Sequence, residues 1–198
     1  MIGLVAPRGR WLSTGLDKDE GRVLAKLFRR RDEKIETAAD SLFRAVVDAA
    51  RRPVLFAELG VPDTLDGRYE TVALHAYLVL RRLKRDHAAT AALAQSFFDR
   101  MFMDFDNGLR ESGVGDLGVG RRVKQMATGF YGRIAAYDAG LDGGGLEEAL
   151  RRNAYGTVTP TEEGLARLAG YLRLADQALA GQATEDLVAG RVFFPGVA

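Results

Sequence analysis

Cysteine is absent from the chain, and this absence excludes three kinds of chemistry. Without a thiol there is no disulfide, no thiolate ligand for a metal ion and no cysteine nucleophile. Nothing therefore argues for an oxidising compartment, where disulfides form and persist. The 198 residues suit one domain with a continuous hydrophobic core.

Long hydrophobic runs are missing as well. The longest, Val72–Leu80, is interrupted by His75 and is much shorter than the ~20 residues that span a bilayer. The first residues, Met1–Leu16, lack the apolar stretch that is typical of a secretory signal peptide. The sequence therefore predicts neither a membrane-spanning helix nor a secretory leader.

The chain also lacks an excess of charge of one sign, because its formal net charge is only +1. No strong overall attraction to nucleic acid follows from this value. Basic residues are nevertheless clustered in the runs Arg29–Arg31, Arg51–Arg52 and Arg81–Arg85. Such runs most often form solvated helix faces and helix ends, and they can also bind phosphate or an acidic surface. Both interpretations stay open at this point.

The chain also lacks the alternation of apolar and polar residues that is typical of strands, whereas helical periodicity recurs along it. We therefore predict an all-α fold, with about six helices packed in a single domain. Residues 1–20 lack periodicity and are expected to form a flexible N-terminal arm, which leaves residues 21–198 for the helical domain. The expected helices cover about 23–52, 67–85, 88–111, 119–141, 146–153 and 160–180.

The helix expected at Gly67–Arg85 is apolar on nearly every side, so it should lie at the centre of the domain. Asp66 is the better candidate for its N-cap, ahead of Thr64. At the start of the last expected helix, Thr159 and Glu162 have the spacing of a capping box.

His75 and nearby carboxylates are the candidates for a metal or cofactor site. Asp99, Asp104 and Asp106 are close in sequence, but Asp104 lies about 160° round the helix from Asp106, which opposes a shared ion. We expect His75 to be a buried histidine bonded to a backbone or carboxylate group. His75 and Met126 are also of residue types that ligate haem iron, although a role in the core is far more common for both.

The glycine-rich segment Gly113–Gly120 resembles a phosphate-binding loop only superficially. No strand precedes it and no Lys-Ser or Lys-Thr pair ends it, so we expect a tight turn between helices with Asp116 as N-cap. Arg121, Arg122 and Lys124 follow at the start of the next helix, where cations oppose the helix dipole. Either Asp116 or an acidic partner would compensate for them.

Glycine, aspartate, arginine and aromatic residues are denser in parts of this chain than a helical core requires. They form an ordered set consisting of Gly60–Thr64, Gly67–Glu70, Leu74–His75, Phe98–Asp99, Met101–Phe102, Asp104, Asp106, Leu109–Glu111, Gly113–Leu117, Phe130–Arg133 and Ala136–Tyr137. With its unbroken helical spacing, this set resembles the ubiquinol–cytochrome c chaperone family, and the resemblance covers roughly residues 40–141. Members of that family are assembly factors for cytochrome b of respiratory complex III.

The resemblance implies an all-α, non-enzymatic chaperone that binds newly made cytochrome b and supports assembly of the ubiquinol–cytochrome c reductase. The implied partner is cytochrome b or another complex III subunit, and no cofactor, metal or DNA is expected. Contact with the ribosome or with a small partner protein is a property of mitochondrial members and stays open here. We expect a bacterial-type member in the cytoplasm, with peripheral contact at the inner membrane left open.

The segments Gly60–Arg68 and Gly113–Gly120 should flank the central helices and form one contact surface. We expect contacts to the partner, fixed by charge and by interface-type side chains, from Asp63, Arg68, Arg110, Asp116, Tyr131 and Arg133. Two other functions stay open. One is a basic-patch protein that binds a ribosome or RNA surface through Arg29–Arg31 and Arg81–Arg85. The other, less well supported, is a metal-dependent enzyme that uses His75.

Overall fold

The computed structural model describes the backbone of residues 18–111, 113 and 115–197, and their side chains except those of 18–31, 116 and 117. Helices dominate this described part, and no strand occurs within it, so the all-α prediction is confirmed. The eight helices are α1 (Lys18–Ala50), α2 (Pro53–Ala57), α3 (Leu65–Arg85), α4 (His87–Glu111), α5 (Asp116–Gly143), α6 (Leu146–Asn153), α7 (Glu162–Ala180) and α8 (Thr184–Val188).

The predicted N-terminal arm falls mostly outside the described residues. α1 begins at Lys18, so the last three residues of the range 1–20 belong to a helix. Two short helices, α2 and α8, bring the number above the six that were predicted. α2 begins at Pro53, a residue whose fixed φ suits the first helical position.

α3 is the central helix, as its apolar composition predicted. It packs against α1, α4, α5 and α7, and its middle part Ala73–Val79 is buried throughout. α1 and α4 also pack against each other, with the rings of Phe43 and Phe97 in edge contact. α6 contacts both α5 and α7. Burial of these apolar faces is the main favourable term in folding, and it fixes the other helices around α3.

Two of the predicted N-caps are wrong. α3 begins at Leu65 because the hydroxyl of Thr64, not the Asp66 carboxylate, accepts a hydrogen bond from the Gly67 N–H at 3.2 Å. α7 is capped in the same way by Thr161, so the predicted capping box at Thr159 does not form. In both places two capping residues stand two positions apart, and the sequence pattern alone does not decide between them.

The third predicted cap is wrong for a different reason. α5 begins at Asp116 itself, with Gly115 as its N-cap, which is three residues earlier than the sequence predicted. Arg121 and Arg122 therefore lie in the second turn of the helix. The unfavourable dipole contribution expected for them is smaller, because it falls off within the first turn.

Candidate functional site

An open groove of about 1400 Å³ lies where the N-terminal part of α3 meets α2, α4, α5 and the end of α6. Cavities that bind small molecules usually measure roughly 300–1,000 Å³. The groove therefore has room for a larger ligand, such as a segment of polypeptide.

One wall of the groove is made by the loop before α3 and by the first turn of that helix. Gly67 lies so close to this loop that a Cβ atom at its position would stand 1.9 Å from the carbonyl oxygen of Pro62. Only glycine permits this approach. Together with the Thr64 cap, it holds Asp63 and Leu65 at the edge of the groove.

The floor of the groove is apolar and partly open to solvent. Tyr69 of α3 and Phe105 of α4 meet edge to face, with ring centroids 5.1 Å apart. The Tyr69 hydroxyl donates to the backbone oxygen of Met126 on α5, at 3.4 Å. Val72 and Met126 are half-buried beside them, and Leu65 at the edge is 67% exposed. Apolar surface that is open to solvent in this way is typical of binding grooves.

A buried ion pair closes one side of the floor. Arg133 of α5 donates twice to Glu70 of α3, with 2.7 Å between Nε and Oε2, and its guanidinium lies over the Tyr69 ring at 5.3 Å. Burial raises the pKa of Glu70 above its ordinary value, while the hydrogen bonds from Arg133 pull that pKa down. Because each charge compensates the other out of water, removing one partner alone is costly.

Behind this ion pair are two buried polar atoms without a hydrogen-bond partner in the described part of the chain. They are the hydroxyl of Tyr137 on α5 and the side-chain nitrogen of Asn153 at the end of α6. Burial raises the pKa of Tyr137, the nearby Glu70 carboxylate raises it further, and the Asn153 amide beside it lowers it. The Asn153 amide can donate to the Tyr137 hydroxyl beside it, so neither atom requires a ligand.

Three of the six predicted contact residues line the groove. Asp63 and Arg68 form an exposed pair at its edge, with 2.7 Å between Oδ1 and Nε. This hydrogen bond holds the pKa of Asp63 below its ordinary value. Arg133 also lines the groove, but it is engaged with Glu70 and therefore acts first as a part of the fold.

Of the other three predicted residues, Arg110 and Tyr131 do not line the groove. Arg110 pairs with Asp106 one turn earlier on α4, at 2.6 Å. Tyr131 is 38% exposed and stacks on Phe98, with ring centroids 5.9 Å apart. Asp116 is the first residue of α5, and its side chain lies outside the described residues. The expected single surface is therefore built by the segment Gly60–Arg68, while no described side chain from 113–120 lines the groove.

Several groove residues were not among the predicted contacts. They are the apolar residues of the floor and the arginines at the edge, namely Phe56, Val72, Phe105, Met126, Arg51, Arg122 and Arg152. Two signals were present in the sequence. Arg51 belongs to a basic run, and Arg122 stands near a helix start where either Asp116 or an acidic partner was expected to compensate. The convergence of α5, α6 and the residue after α1 on one groove is a property of the tertiary structure.

His75 has the structural role that the sequence predicted. It is fully buried, and its Nδ1 lies 2.7 Å from the carbonyl oxygen of Thr71. Because a carbonyl oxygen only accepts, Nδ1 carries the proton and Nε2 accepts from the hydroxyl of Tyr171 at 2.8 Å. Burial lowers the pKa of His75 to about 4. With both ring nitrogens engaged, His75 has no nitrogen left to ligate haem iron or another metal.

No group of three or more histidine and carboxylate residues within the described ranges is arranged to hold a metal ion. In the same part of the chain, no helix combines the length and the hydropathy of a bilayer span.

Comparisons with known proteins are consistent with each other. Residues 57–194 match the family described as Ubiquinol-cytochrome C chaperone. A protein of Xenopus laevis named Ubiquinol-cytochrome-c reductase complex assembly factor 1 is 26% identical over 157 residues, which is 78% of each chain. A crystal structure of the Cbp3 homolog from Brucella abortus superimposes with a TM-score of 0.77 and 37% identity, covering 88% of this chain and 97% of that one.

Proposed function

The chain belongs to the ubiquinol–cytochrome c chaperone family, and from this premise we propose that it supports assembly of the ubiquinol–cytochrome c reductase by binding newly made cytochrome b. The binding site in this proposal is the groove beside α3. A chaperone of this kind binds and releases an assembling subunit without carrying out a chemical reaction on it.

The observation that supports the proposal best is the apolar floor of the groove. Tyr69, Val72, Phe105 and Met126 present an apolar surface that remains partly open to solvent. Cytochrome b is a membrane protein, so before insertion its helices expose apolar surface that water disfavours. A groove with an apolar floor is a common way to bind an amphipathic or apolar helix.

The predicted contact residues receive different roles in this proposal. Asp63 and Arg68 are exposed at the edge of the groove and would contact the bound segment directly. Arg133 would shape the floor through Tyr69 and Glu70. Arg110 and Tyr131 do not line the groove, and Asp116 is the first residue of α5. These three would contact the bound subunit where it extends along α4 and α5.

The proposal is tested by recovering cytochrome b with the affinity-tagged full chain from its host, in mild detergent. Leu65→Glu places a charge at the edge of the groove, and Leu174→Glu is the matched control on α7, outside it. Both leucines are well exposed, at 67% and 46%, so neither substitution disturbs the core. We expect Leu65→Glu to reduce recovery by about tenfold, since a buried leucine contributes roughly 1.5 kcal/mol or more.

Leu174→Glu should recover as much cytochrome b as the unaltered chain. Absence of cytochrome b from the unaltered sample would refute the proposed partner. Equal recovery with both leucine variants would instead show that cytochrome b binds elsewhere on the molecule.

A further inference from the structure

Most arginines with described side chains are engaged within the protein. Their guanidinium groups pair with carboxylates or donate to backbone oxygens, as at Arg68, Arg81 and Arg133. In the part of the chain that is described with side chains, four arginines have a guanidinium group with neither an ion pair nor a hydrogen bond: Arg51, Arg121, Arg122 and Arg152.

Three of these four unengaged arginines line the same groove. Arg51 follows α1, Arg122 lies on α5, and Arg152 lies in the last turn of α6. The three arginines come from distant parts of the chain, and all three side chains are exposed. If unengaged arginines were distributed evenly over the surface, three of the four would not line a single groove.

The carboxylates of the groove do not neutralise these arginines. Asp63 is paired with Arg68, and Glu70 is paired with Arg133. Asp104 is 3.4 Å from Arg100, which leaves Asp66 as the one lining carboxylate without an ion pair in the described residues. The groove therefore carries a surplus of positive charge around its apolar floor, and low-dielectric walls focus such a field.

We infer that the groove binds an apolar polypeptide segment that carries acidic side chains, and that Arg51, Arg122 and Arg152 are the residues that bind those acidic groups. The inference rests on the proposed function and specifies the chemistry of the bound segment. The apolar side chains would lie on Val72, Phe105 and Met126. The acidic groups would reach the edge, where the arginines fix the register of the segment.

A bilayer surface is a less suitable ligand for this arrangement. The arginines surround a concave groove, whereas lipid head groups form a flat sheet that meets flat or convex surfaces. Asp63 and Asp66 lie at the same edge and would repel anionic head groups. A single segment can avoid these two carboxylates and still reach the arginines.

The test uses the full chain and two fluorescent peptides of about 20 residues, the length of a membrane-spanning helix. Both peptides are equally apolar, and one carries glutamate near each end where the other carries glutamine. We expect the glutamate peptide to bind about tenfold more tightly, with a preference that weakens as salt is raised, because the contacts lie at the surface. In the triple variant Arg51→Gln/Arg122→Gln/Arg152→Gln the two peptides should bind equally.

Arg121→Gln is the matched control, because Arg121 is exposed and unengaged but does not line the groove. It should keep the full preference for the glutamate peptide. Equal binding of the two peptides to the unaltered chain would overturn the inference, and so would a preference that survives in the triple variant. Absence of binding by either peptide would overturn it as well.

Two further measurements separate the alternatives. If the triple variant recovers as much cytochrome b from the host as the unaltered chain, the inference fails while the proposed function stands. If the unaltered chain recovers no cytochrome b, the proposed function itself fails. Vesicles of phosphatidylglycerol and phosphatidylcholine test the lipid alternative. The unaltered chain could sediment with these vesicles while the triple variant does not, and show no preference between the peptides. This result would indicate that the arginines bind lipid, and it would overturn the inference.

Discussion

At the C-terminal end of α3 the arginines are bonded to acceptors within the protein, whereas around the groove at its N-terminal end three arginines remain unengaged. Arg82 is only 6% exposed and donates to the backbone oxygens of Leu179 and Gln182, at 3.0 and 2.7 Å. Arg122 and Arg152 are exposed and have no such acceptors among the described residues. The role of a basic residue therefore depends on which hydrogen-bond acceptors the fold brings close to it.

The run Arg81–Arg85 illustrates this point. The sequence suggested a solvated helix end or a patch for RNA. In the structure Arg81 holds three carboxylates, Asp138 at 2.7 Å, Asp176 at 3.0 Å and Asp142. These bonds join α3 to α5 and α7. For Arg81 and Arg82 the solvated helix end and the RNA patch are therefore both wrong, because these two side chains join helices to one another.

The largest expected effect is that of Arg82→Ala. The substitution leaves the backbone oxygens of Leu179 and Gln182 without their donor. It also removes the cation beside Asp86, whose carboxylate keeps the hydrogen bond from the Thr184 hydroxyl. We expect a loss of about 3–5 kcal/mol in the free energy of unfolding, as is typical when one partner of a buried charged network is removed. Urea denaturation followed by circular dichroism measures this loss.

Arg122→Ala is the control from the other end of the comparison. It removes an arginine that makes no bond to the described residues, so the free energy of unfolding should change by less than about 0.5 kcal/mol. If the two variants were equally stable, the distinction between engaged and free arginines would be lost.

Much of the fold could be predicted from the sequence. The helical periodicity located six of the helices to within a few residues at most ends, and the apolar character of Val72–Leu80 placed α3 at the centre. Alternative caps two residues apart, such as Thr64 and Asp66, could not be separated, because either side chain can accept the same kind of bond. The short helices α2 and α8 carry too few residues for a periodic pattern.

A second substitution, Arg133→Met, examines the engaged arginine that lies at the groove itself. The change leaves the carboxylate of Glu70 buried without its cation. We expect a loss of about 3 kcal/mol at pH 7, measured by urea denaturation. The double variant Glu70→Gln/Arg133→Met should recover most of it, because the unpaired charge is then absent.

The loss caused by Arg133→Met should grow with pH. The pKa of Glu70 in the folded protein lies above its ordinary value of 4.5 because of burial, and it rises further without Arg133. A raised pKa contributes stability that is present at low pH and is lost as pH increases through the folded-state value. The variant should therefore fall further below the unaltered protein at pH 8 than at pH 5. A gap that is constant over this range would show that Glu70 is not the group responsible.

The third prediction concerns His75, which lies between the two ends of α3. Its pKa is lowered by burial to about 4, below the ordinary value of 6.5. A lowered pKa contributes stability that is present above pH 6.5 and is lost as pH falls toward 4, since only the unfolded chain binds the proton in this window. We expect a loss of about 2 kcal/mol between pH 8 and pH 5.

The pH dependence is measured in a His87→Gln background, which leaves His75 as the only histidine of the chain. The ring resonances of His75 in NMR spectra should not titrate above pH 5. Titration near pH 6.5 would show that the ring is accessible to water, which would contradict its burial against Tyr171 and Phe194.

The groove was harder to predict than the fold. Asp63, Arg68 and Arg133 were identified because they belong to a dense and ordered set of residues, and all three line the groove. The unengaged arginines were not identified, because the sequence does not show which arginines pair with a carboxylate. That depends on which helices meet, and Arg152 reaches the groove because α6 packs against α5 and α7.

The smallest expected effect is that of Gly67→Ala, which examines how the groove is held open. A methyl group at this position would meet the carbonyl oxygen of Pro62, a backbone atom that cannot rotate away. The loop must then move off the first turn of α3. We expect a net loss of about 1–2 kcal/mol, because the cost of the overlap exceeds the gain that alanine brings to a helix.

Gly170→Ala on α7 is the control, since nothing lies within 4 Å of its Cβ position. That variant should be more stable than the unaltered protein by about 0.5–1 kcal/mol. If both variants were more stable than the unaltered protein, the loop before α3 would move away from the new methyl group at little cost. The wall of the groove would then be a movable part of the surface.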